Sequence, residues 1–424
     1  MVDWPLVRIG DLVVQGALAI SDGYRVRNEE LGPEGIPFVR GGDIGDGWIN
    51  TRTSDRIRPE LSDRVRSKLT RPGDAAFITK GTVGRAGRLR SDQPPVVFAP
   101  QIAFWRVLDH SMLDAGFIYY LMRSRPFKAA LDSVKTHGAM VADYVSISQQ
   151  HDFRLRLPDI RSQRAIAQML GALDDKIELN RRMNETLAQM ARTLFQEWFV
   201  DGEPASHSDG WHEATLGDLM SVDKGVSYKG SGLVEDSGAI MVNLGCFTGD
   251  GRFNAAKLKR YDGSFRSQHV VAPGDLVLAN TDMTQRRVVL GSPAIVPRLG
   301  GDATTIIHSH HVFACRFSQE SERWKLFVYF TLLSPAFREV AEGYATGTTV
   351  LALRRQDLLG HRIRLPPQER ILAFNDIASS LNARDQVSQI ESQVLARLRD
   401  TLLPRLISGE LRIPEAERIV SEVT

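Results

Sequence analysis

The chain states much of its sequence twice, about 207 residues apart (211 − 4 = 207). The opening Trp4 to Leu12, which ends in Gly10-Asp11-Leu12, returns as Trp211 to Leu219, which ends in Gly217-Asp218-Leu219. Pro-Gly-Asp recurs at 72–74 and 273–275, and Arg-Leu-Arg-Leu-Pro at 154–158 returns as Arg-Ile-Arg-Leu-Pro at 362–366. Solenoid repeats have periods of about 20–50 residues, so this longer period indicates a duplicated domain with two similar sites.

The composition is that of an ordinary soluble protein. Of 424 residues, 42% are hydrophobic and 25% charged, and the net charge of +2 is too small to identify a partner. The two cysteines, Cys246 and Cys315, cannot form a disulfide framework. The sequence has no signal peptide at its start and no apolar run of about 18 residues. We therefore expect a cytoplasmic protein that does not contact a membrane.

Each half begins with a lobe of about 155 residues, rich in Gly and Pro and in short runs of β-branched and aromatic residues. Such turn-bounded runs predict strands, at 37–40, 75–79, 96–99 and 102–107 in the first half and at 239–242, 275–279, 294–296 and 312–317 in the second. Residues 117–131 and 324–342 read as one or two helices each. The lobes are therefore predicted to be mixed, with strands dominant.

After each lobe the pattern changes to that of a long helix. Residues 163–200 contain no Pro, and a seam recurs at alternating spacings of four and three: Ile166, Leu170, Leu173, Ile177, Asn180, Asn184, Leu187, Ala191, Leu194 and Trp198. The same phase returns in 368–406, with a more polar centre, at Ile377, Leu381, Leu395, Leu398 and Leu402. Two such helices predict a coiled coil, and we expect Asn180 and Asn184 to fix its register through hydrogen bonds across the seam.

We predict an α+β fold in which two similar strand-rich lobes are separated by two long helices. The helices pair as an antiparallel coiled coil, with one lobe at each end and a pseudo-two-fold axis between them. The predicted boundaries are an N-terminal recognition domain at 1–160, a central helix at 161–203, a C-terminal recognition domain at 204–367, and a distal helix and tail at 368–424.

A rod that carries one lobe at each end could bind double-stranded DNA. A helix of about 36 residues is about 54 Å long, and one turn of B-DNA advances about 34–36 Å, so two lobes could read two half-sites. Arginine can donate two hydrogen bonds to the edge of guanine, and threonine can donate one to a phosphate oxygen. The candidate contacts, each weighed against an ordinary exposed loop, are Arg40, Lys80, Thr82, Arg85, Arg88, Lys135, His137, Tyr228, Lys229, Arg286, Arg287, Thr346 and Thr348.

Motifs for catalysis are missing from the sequence. The Pro-Pro pairs at 94–95 and 366–367 do not fit the Asn/Asp-Pro-Pro-aromatic motif of amino-methyltransferases, and the glycine-rich run at 81–87 lacks the lysine of a phosphate-binding loop. His308, His310 and His311 lack a fourth ligand at a sensible spacing, so we expect structural or DNA-facing histidines and no metal site. We expect no catalytic residues.

The helical blocks resemble a known family. Residues 157–167, 173–187 and 194–199 resemble the central helical region of the specificity subunits of type I restriction–modification systems, and 365–369 with 402–411 resemble its distal counterpart. The openings at Trp4 and Trp211 and the two Pro-Gly-Asp strands resemble parts of that family's target recognition domains.

The resemblance implies a non-catalytic DNA reader of a split, asymmetric site. It implies as partners two modification subunits and, usually, motor–nuclease (restriction) subunits. S-adenosylmethionine, and ATP and Mg²⁺ for restriction, would be bound by those partners and not by this chain. Trp198 and Phe199 are candidates for docking the modification subunits, and core packing accounts for them equally well. The alternatives are a DNA-modifying enzyme with two homologous sites and a coiled-coil scaffold that does not bind DNA.

Overall fold

The computed structural model describes residues 4–45, 47–134, 144–202, 210–283, 288–299, 305–345 and 350–423. The chain forms two compact units. The first unit comprises Met1–Glu178 together with Gln393–Thr424, and the second comprises Leu179–Ser392. Each unit therefore contains one lobe and parts of both long helices.

The lobe of the first unit is built on two four-stranded sheets. One is antiparallel, with the strand order Leu18–Asp22, Ile102–Val107, Ala75–Ile78 and Ala86–Arg88. The other has the order Leu31–Gly32, Arg56–Ile57, Ile36–Val39 and Val97–Phe98, and its last pair is parallel. Leu6–Arg8 pairs with Arg154–Arg156, so the start of the lobe lies beside its end.

The lobe of the second unit repeats this topology. Its antiparallel sheet has the order Ser221–Lys224, Val312–Arg316, Leu276–Ala279 and Pro293–Ile295. Its mixed sheet has the order Leu233–Val234, Lys259–Tyr261, Ala239–Val242, Ile306–His308 and Val270–Val271, so one edge strand is added. His212–Thr215 pairs with Arg362–Leu365 as the terminal pair, and Thr281–Asp282 pairs with Leu351–Ala352. The duplication read from the sequence is thus a duplication of fold.

The predicted strands are present with small shifts at their ends. The segments predicted at 102–107 and 239–242 are Ile102–Val107 and Ala239–Val242. The segments predicted at 275–279 and 312–317 are Leu276–Ala279 and Val312–Arg316. Ala75–Ile78 and Leu276–Ala279 are buried on both faces. Their sequences are therefore continuous apolar runs, without the alternation of apolar and polar residues seen in strands with one solvent-exposed face.

One glycine in each lobe is required by a close backbone approach. A Cβ on Gly23 would lie 2.0 Å from the carbonyl oxygen of Ala99, and a Cβ on Gly225 would lie 2.2 Å from that of His308. No side chain tolerates such distances. In both lobes glycine is therefore required directly after the first strand of the antiparallel sheet, where the chain passes close to the backbone of the mixed sheet.

The segments predicted as one or two helices are pairs of helices. In the first lobe they are Ala115–Arg123 and Arg125–Val134, and in the second Lys325–Leu333 and Pro335–Gly343. The break falls at Ser124 and Ser334, whose hydroxyls each accept a hydrogen bond from a backbone N–H three residues later. The shorter helices are Ile9–Val14, Ser62–Val65, Ile147–His151, Leu216–Leu219, Arg355–Leu359 and, at the C-terminal end, Ile413–Val423.

The two long helices are Ile160–Phe195, called here the central helix, and Gln368–Ile407, the distal helix. Asp159 begins the central helix, because its Oδ1 accepts hydrogen bonds from the backbone N–H groups of Arg161 and Ser162. A π-helical turn, Gln196–Val200, follows it. In the second unit Asn180 contacts Glu391, and Phe195 contacts Phe374, so the helices run in opposite directions. The predicted antiparallel pairing is confirmed.

Candidate nucleic-acid interface

The seam positions are mostly where the helices bury their side chains. In the first unit Ile166, Leu170 and Leu173 share a core with Leu395, Leu398 and Leu402, all at most 9% exposed. Ile177 packs at the edge of that core. In the second unit Leu194 and Leu381 pack against the buried Ala191, and Leu187 is half-buried.

Ile377 is a correction to the seam read from the sequence. We placed it in the phase of the distal helix, but its side chain is 43% exposed. Phe374 and Ala378 are buried in its place, at 0% and 2% exposure. A helix turns 3.6 residues per turn, so a strict seven-residue seam drifts across its surface, and here the lobe as well as the other helix covers the apolar face.

The two seam asparagines form a polar layer within the second unit. Asn180 Nδ2 donates to Glu391 Oε2 at 2.7 Å and to Ser392 Oγ at 3.3 Å. Asn180 is 1% exposed and Asn184 9%, and the Oδ1 atoms of both lack a partner among the described residues. Asn180 thus makes hydrogen bonds across the seam, as register control requires. The same expectation for Asn184 stays a prediction.

A buried ionic network joins the first lobe to its helices. Asp174 on the central helix accepts hydrogen bonds from Tyr120 Oη at 2.7 Å and from Arg399 Nη1 at 2.6 Å. Arg123 donates to Tyr119 Oη at 3.0 Å and lies 3.7 Å from Asp174. The Asp174 and Arg399 side chains are 14% and 10% exposed, so water screens their attraction weakly.

The network shifts the pKa values of its members in the directions that hold it together. Burial, and then the charge of Asp174, raises the pKa of Tyr120 far above its ordinary value, so the hydroxyl remains a donor. Burial opposes the charge of Arg399, but the carboxylates of Asp174 and Asp400 outweigh it, and the pKa of Arg399 is raised. The lobe is therefore fixed to the helices by a tyrosine that keeps its proton and an arginine that keeps its charge.

In the second unit an aromatic cluster joins the lobe to its helices. Phe195 of the central helix stacks on Phe330 of the lobe, with centroids 5.6 Å apart. Phe199 packs edge-on to Phe327 at 5.2 Å and to Phe374 at 5.0 Å. Phe199 is 4% exposed, so its side chain belongs to this core and offers a partner little surface. Trp198, also proposed for docking, is partly exposed.

Four of the candidate DNA contacts lie around one glycine-containing turn of the first lobe. Lys80 and Thr82 are exposed on the turn between strands Ala75–Ile78 and Ala86–Arg88, where Gly81 and Gly84 have φ angles of +89° and +94°. Arg85 Nη2 donates to the carbonyl oxygen of Gly41 at 2.9 Å, which brings the turn beside Arg40.

The arginines of this turn region differ in how much of their hydrogen-bonding capacity is used. Arg40 is exposed, and its Nε donates to Asp55 at 2.8 Å. Arg85 Nε is buried and has no partner among the described residues. An unpaired buried donor is costly, so the hydrogen bonding of the Arg85 guanidinium is incomplete in this geometry.

Arg88 does not join that group. Its guanidinium lies over the ring of Tyr119, with Cζ 5.3 Å from the centroid, and its charge lowers the pKa of Tyr119 against the larger effect of burial. Arg88 therefore lies at the junction between the first lobe and its helices. Arg88 lies beyond the turn, within the strand Ala86–Arg88, where it pairs with Ala75. Side chains alternate between the two faces of a strand, so Arg88 can face the helices while the turn residues face solvent.

Tyr228 and Lys229 lie together on a loop of the second lobe. The Tyr228 ring packs against Tyr261 at 6.3 Å and His310 at 5.9 Å between centroids, and Lys259 Nζ lies 5.9 Å from its centroid. Lys229 is exposed. A half-buried tyrosine held by two rings presents a fixed edge to a ligand.

The remaining candidates lie outside the described residues. These are Lys135, His137, Arg286, Arg287, Thr346 and Thr348. They stay predictions.

Among the three clustered histidines the geometry is structural for His308, while His310 and His311 are partly exposed. His308 is fully buried, and its Nδ1 lies 2.9 Å from the carbonyl oxygen of Val312. Burial lowers the pKa of His308, so the ring is neutral. His311 Nδ1 lies 2.9 Å from Thr281 Oγ1. Within the described ranges no group of three or more His, Cys, Asp or Glu side chains is placed to hold a metal ion.

No helix in the described part of the chain has the length and apolarity needed to cross a membrane. Cys246 and Cys315 are both buried and unpaired, and burial raises the pKa of Cys246 to about 11. Neither thiol is therefore a reactive nucleophile.

Sequence reasoning missed the junction residues. Asp174, Arg399, Arg123 and Tyr120 were not selected, because each looks like an ordinary polar residue within a helix. The signal that could have found them lies in the duplication. Asn382 stands at the repeat position of Asp174 and Ala191 at that of Arg399 (382 − 174 = 399 − 191 = 208), so both charges occur in one copy alone.

The fold and these surfaces define a protein with two copies of a strand-rich lobe on paired long helices. A scan against protein-family models finds no match. The chain is 22% identical over 437 aligned positions, covering 97% of this chain and 94% of the relative, to the type I restriction enzyme MjaIX specificity subunit of Methanocaldococcus jannaschii. It is 21% identical to the MjaVIII specificity subunit of the same organism, over 97% of this chain and 93% of that one.

Solved structures give the same result for the fold. The S subunit of a type I restriction–modification system from M. genitalium matches with a TM-score of 0.57 at 17% identity, over 96% of both chains. The predicted resemblance is confirmed: over nearly its whole length the chain is similar to type I specificity subunits. The names of these relatives agree with the prediction of a specificity subunit in place of a catalytic one.

Proposed function

We propose that this protein is the sequence-reading subunit of a type I restriction–modification complex. Each unit reads one part of a split DNA site, and the two parts differ because the two lobes differ in sequence. The observation that carries the proposal is the duplicated lobe in a chain similar to specificity subunits along nearly all its length.

The glycine turn of the first lobe supports the reading role. It exposes Lys80 and Thr82 beside Arg85, whose buried Nε has no partner among the described residues. Lys and Thr are donors to phosphates, and arginine pairs with the edge of guanine. In the second lobe Tyr228 and Lys229 are the corresponding candidates.

The partners follow from the same proposal. Two modification subunits would dock on the helices, with the partly exposed Trp198 as a contact, and restriction subunits would join them. S-adenosylmethionine, ATP and Mg²⁺ would be bound by those partners and not by this chain. The complex would act in the cytoplasm.

Methylation mapping tests the proposal. In a host that carries this chain and its modification subunits, methylated adenines should fall in a bipartite motif with a constant gap. Deletion of one residue between Ile166 and Trp198 should abolish or shift that motif. A continuous motif, or methylation that persists unchanged without this chain, would exclude the reading role.

Binding measurements separate the proposal from its alternatives. The complex should bind its site with an affinity that falls steeply as salt rises, because phosphate contacts release counterions. Lys80→Ala should weaken binding to all sequences and make the salt dependence shallower by about one counterion. Arg397→Ala, on the exposed surface of the distal helix, is the matched control. A scaffold would show no salt-dependent binding, and an enzyme would methylate or cleave DNA as the isolated chain.

A further inference from the structure

A cavity of about 80 Å³ lies in the second unit, where the lobe meets the central and distal helices. A bound water needs about 10–15 Å³ by this kind of measure, so the cavity holds several waters or a small organic molecule. Its wall is mainly apolar, with Leu187, Ala191, Phe253, Tyr329, Phe330 and Leu381 among its lining residues.

In the first unit the equivalent place holds the side chains of the ionic network. Tyr119 donates to the carbonyl oxygen of Gly47 at 3.1 Å, and Tyr329 donates to that of Gly251 at 3.2 Å, so the two junctions share this hydrogen bond. Arg399 fills the first junction and reaches Asp174. The repeat position of Arg399 is Ala191, which lines the cavity of the second. Where the first junction has the guanidinium of Arg399, the second has the methyl group of Ala191.

Arg123 and Arg88 are also replaced by apolar residues. The repeat position of Arg123 is Leu333. Arg88 pairs with Ala75 in its sheet, and Ile295 pairs with Leu276 at the corresponding place. The second junction therefore lacks the three guanidinium groups that occupy the first.

A carboxylate nevertheless lines the cavity. Asp385 of the distal helix accepts a hydrogen bond from Gln389 Nε2 at 2.6 Å, and this is its one side-chain hydrogen bond among the described residues. The cavity's two arginines are engaged elsewhere. Arg252 pairs with Asp250 at 2.8 Å and with Glu185 at 3.3 Å, and Arg192 donates to the carbonyl oxygen of Asp250. The charge of Arg252 acts on Asp385 from a distance, against the larger effect of burial. Among the described residues, however, Asp385 makes no direct ion pair of the kind that joins Asp174 to Arg399.

We propose that this cavity is a binding site for a small organic cation with an apolar body, whose charged group pairs with Asp385 as Arg399 pairs with Asp174. The apolar part would lie against Leu187, Ala191 and Phe330. A half-buried carboxylate without a direct ion pair is less well solvated than one in water, and a bound cation would give it the kind of pairing that Asp174 has in the first unit. The inference concerns a site apart from the DNA surfaces and does not depend on the proposed function.

Binding of n-butylamine, n-butanol and butanoate to the full chain tests the inference, with ligand-observed NMR as the measurement at pH 7.5. The three molecules have similar apolar bodies and differ in charge. Butylammonium should bind at least about fivefold more tightly than butanol, which corresponds to about 1 kcal/mol, and butanoate should bind least. Equal binding of the amine and the alcohol would overturn the proposal.

Two variants place the site. Asp385→Asn keeps the shape and removes the charge, so the preference for the amine should disappear while butanol binding stays. Ala191→Leu fills the cavity and should weaken both ligands by fivefold or more. Asp376→Asn, exposed on the same helix, is the control and should bind as the parent chain does. An amine preference that survives Asp385→Asn would show that the cation binds elsewhere.

Discussion

The two junctions between lobe and helices use the same fold and different chemistry. In the first unit Asp174, Arg399, Arg123 and Tyr120 form an ionic network with little exposure. In the second, Phe195 stacks on Phe330, Phe374 packs edge-on to both, and a cavity remains beside them. Strand order is preserved between the copies while the residues at this junction are not. The duplicated fold therefore joins each lobe to the helices, but it does not need a particular kind of contact at that junction.

The two solutions differ in what they specify. Buried ions must meet partners at fixed distances and angles, so the network permits one placement of the lobe on its helices. Aromatic packing gains more free energy from burial and tolerates small displacements. We expect the first junction to fail sharply when one member is removed, and the second to lose stability in proportion to the area removed.

The largest effect is expected in the aromatic cluster. Phe374→Ala removes a fully buried ring that contacts Phe195, Phe199 and Phe330. The free energy of unfolding of the second unit should fall by about 3–5 kcal/mol, measured by denaturant unfolding. Ile377→Ala, from a side chain 43% exposed on the same helix, should cost under about 1 kcal/mol. Equal losses would mean that Phe374 is not part of the core.

The ionic junction should respond nearly as strongly. Arg399→Met retains the length of the side chain and leaves Asp174 without its closest cation, so unfolding of the first unit should become easier by about 3 kcal/mol. Calorimetry on the full chain measures this, and Arg397→Met, two residues away on the exposed surface of the same helix, is the control. If both variants unfold at the same temperature, the network contributes no more than a surface ion pair.

The smallest effect is a pH dependence confined to the second unit. Burial raises the pKa of Asp385 to about 6, from an ordinary value of 3.8. The proton is bound more tightly in the folded state, so this group costs stability as the pH rises from about 4 to 6, and the cost is complete above about pH 7. Asp385→Asn should therefore raise stability by about 1–2 kcal/mol at pH 8, after allowance for partial exposure, and by almost nothing at pH 4.

Thermal unfolding at pH 4, 6 and 8 measures that difference, with Asp376→Asn as the matched variant. A stabilisation by Asp385→Asn that is the same at all three pH values would contradict the assignment of the pKa to burial in the cavity.

Much of the fold could be predicted from the sequence because the determining signals are local and appear twice. Heptad spacing located both long helices, and turn-bounded apolar runs located strands such as Ile102–Val107. The parallel pairing of Ile36–Val39 with Val97–Phe98 was out of reach, because strands of two to four residues carry too little pattern to name their partners. Ile377 was misplaced because packing against the lobe shifts the buried face away from a strict seven-residue repeat.

The candidate site could be predicted less well. The turn that carries Lys80, Thr82 and Arg85 was visible from Gly81 and Gly84, whose positive φ angles such a turn requires. The position of Arg88 over Tyr119 depends on a contact between residues distant in sequence, which no local pattern shows. The cavity in the second unit is invisible for the same reason, since it is defined by side chains missing from three separate elements.

The first unit combines residues from both ends of the chain, so its core cannot be complete until the ribosome has nearly finished synthesis. Its core includes Leu395, Leu402 and Leu406, which the ribosome adds after the whole of Leu179–Ser392. At about 5–20 residues per second, the nascent N-terminal lobe waits roughly 10–40 s for the leucines that cover Ile166 and Leu170. During that interval the apolar strip lacks its cover, so we expect a chain that ends within Leu179–Ser392 to be degraded faster than the full chain.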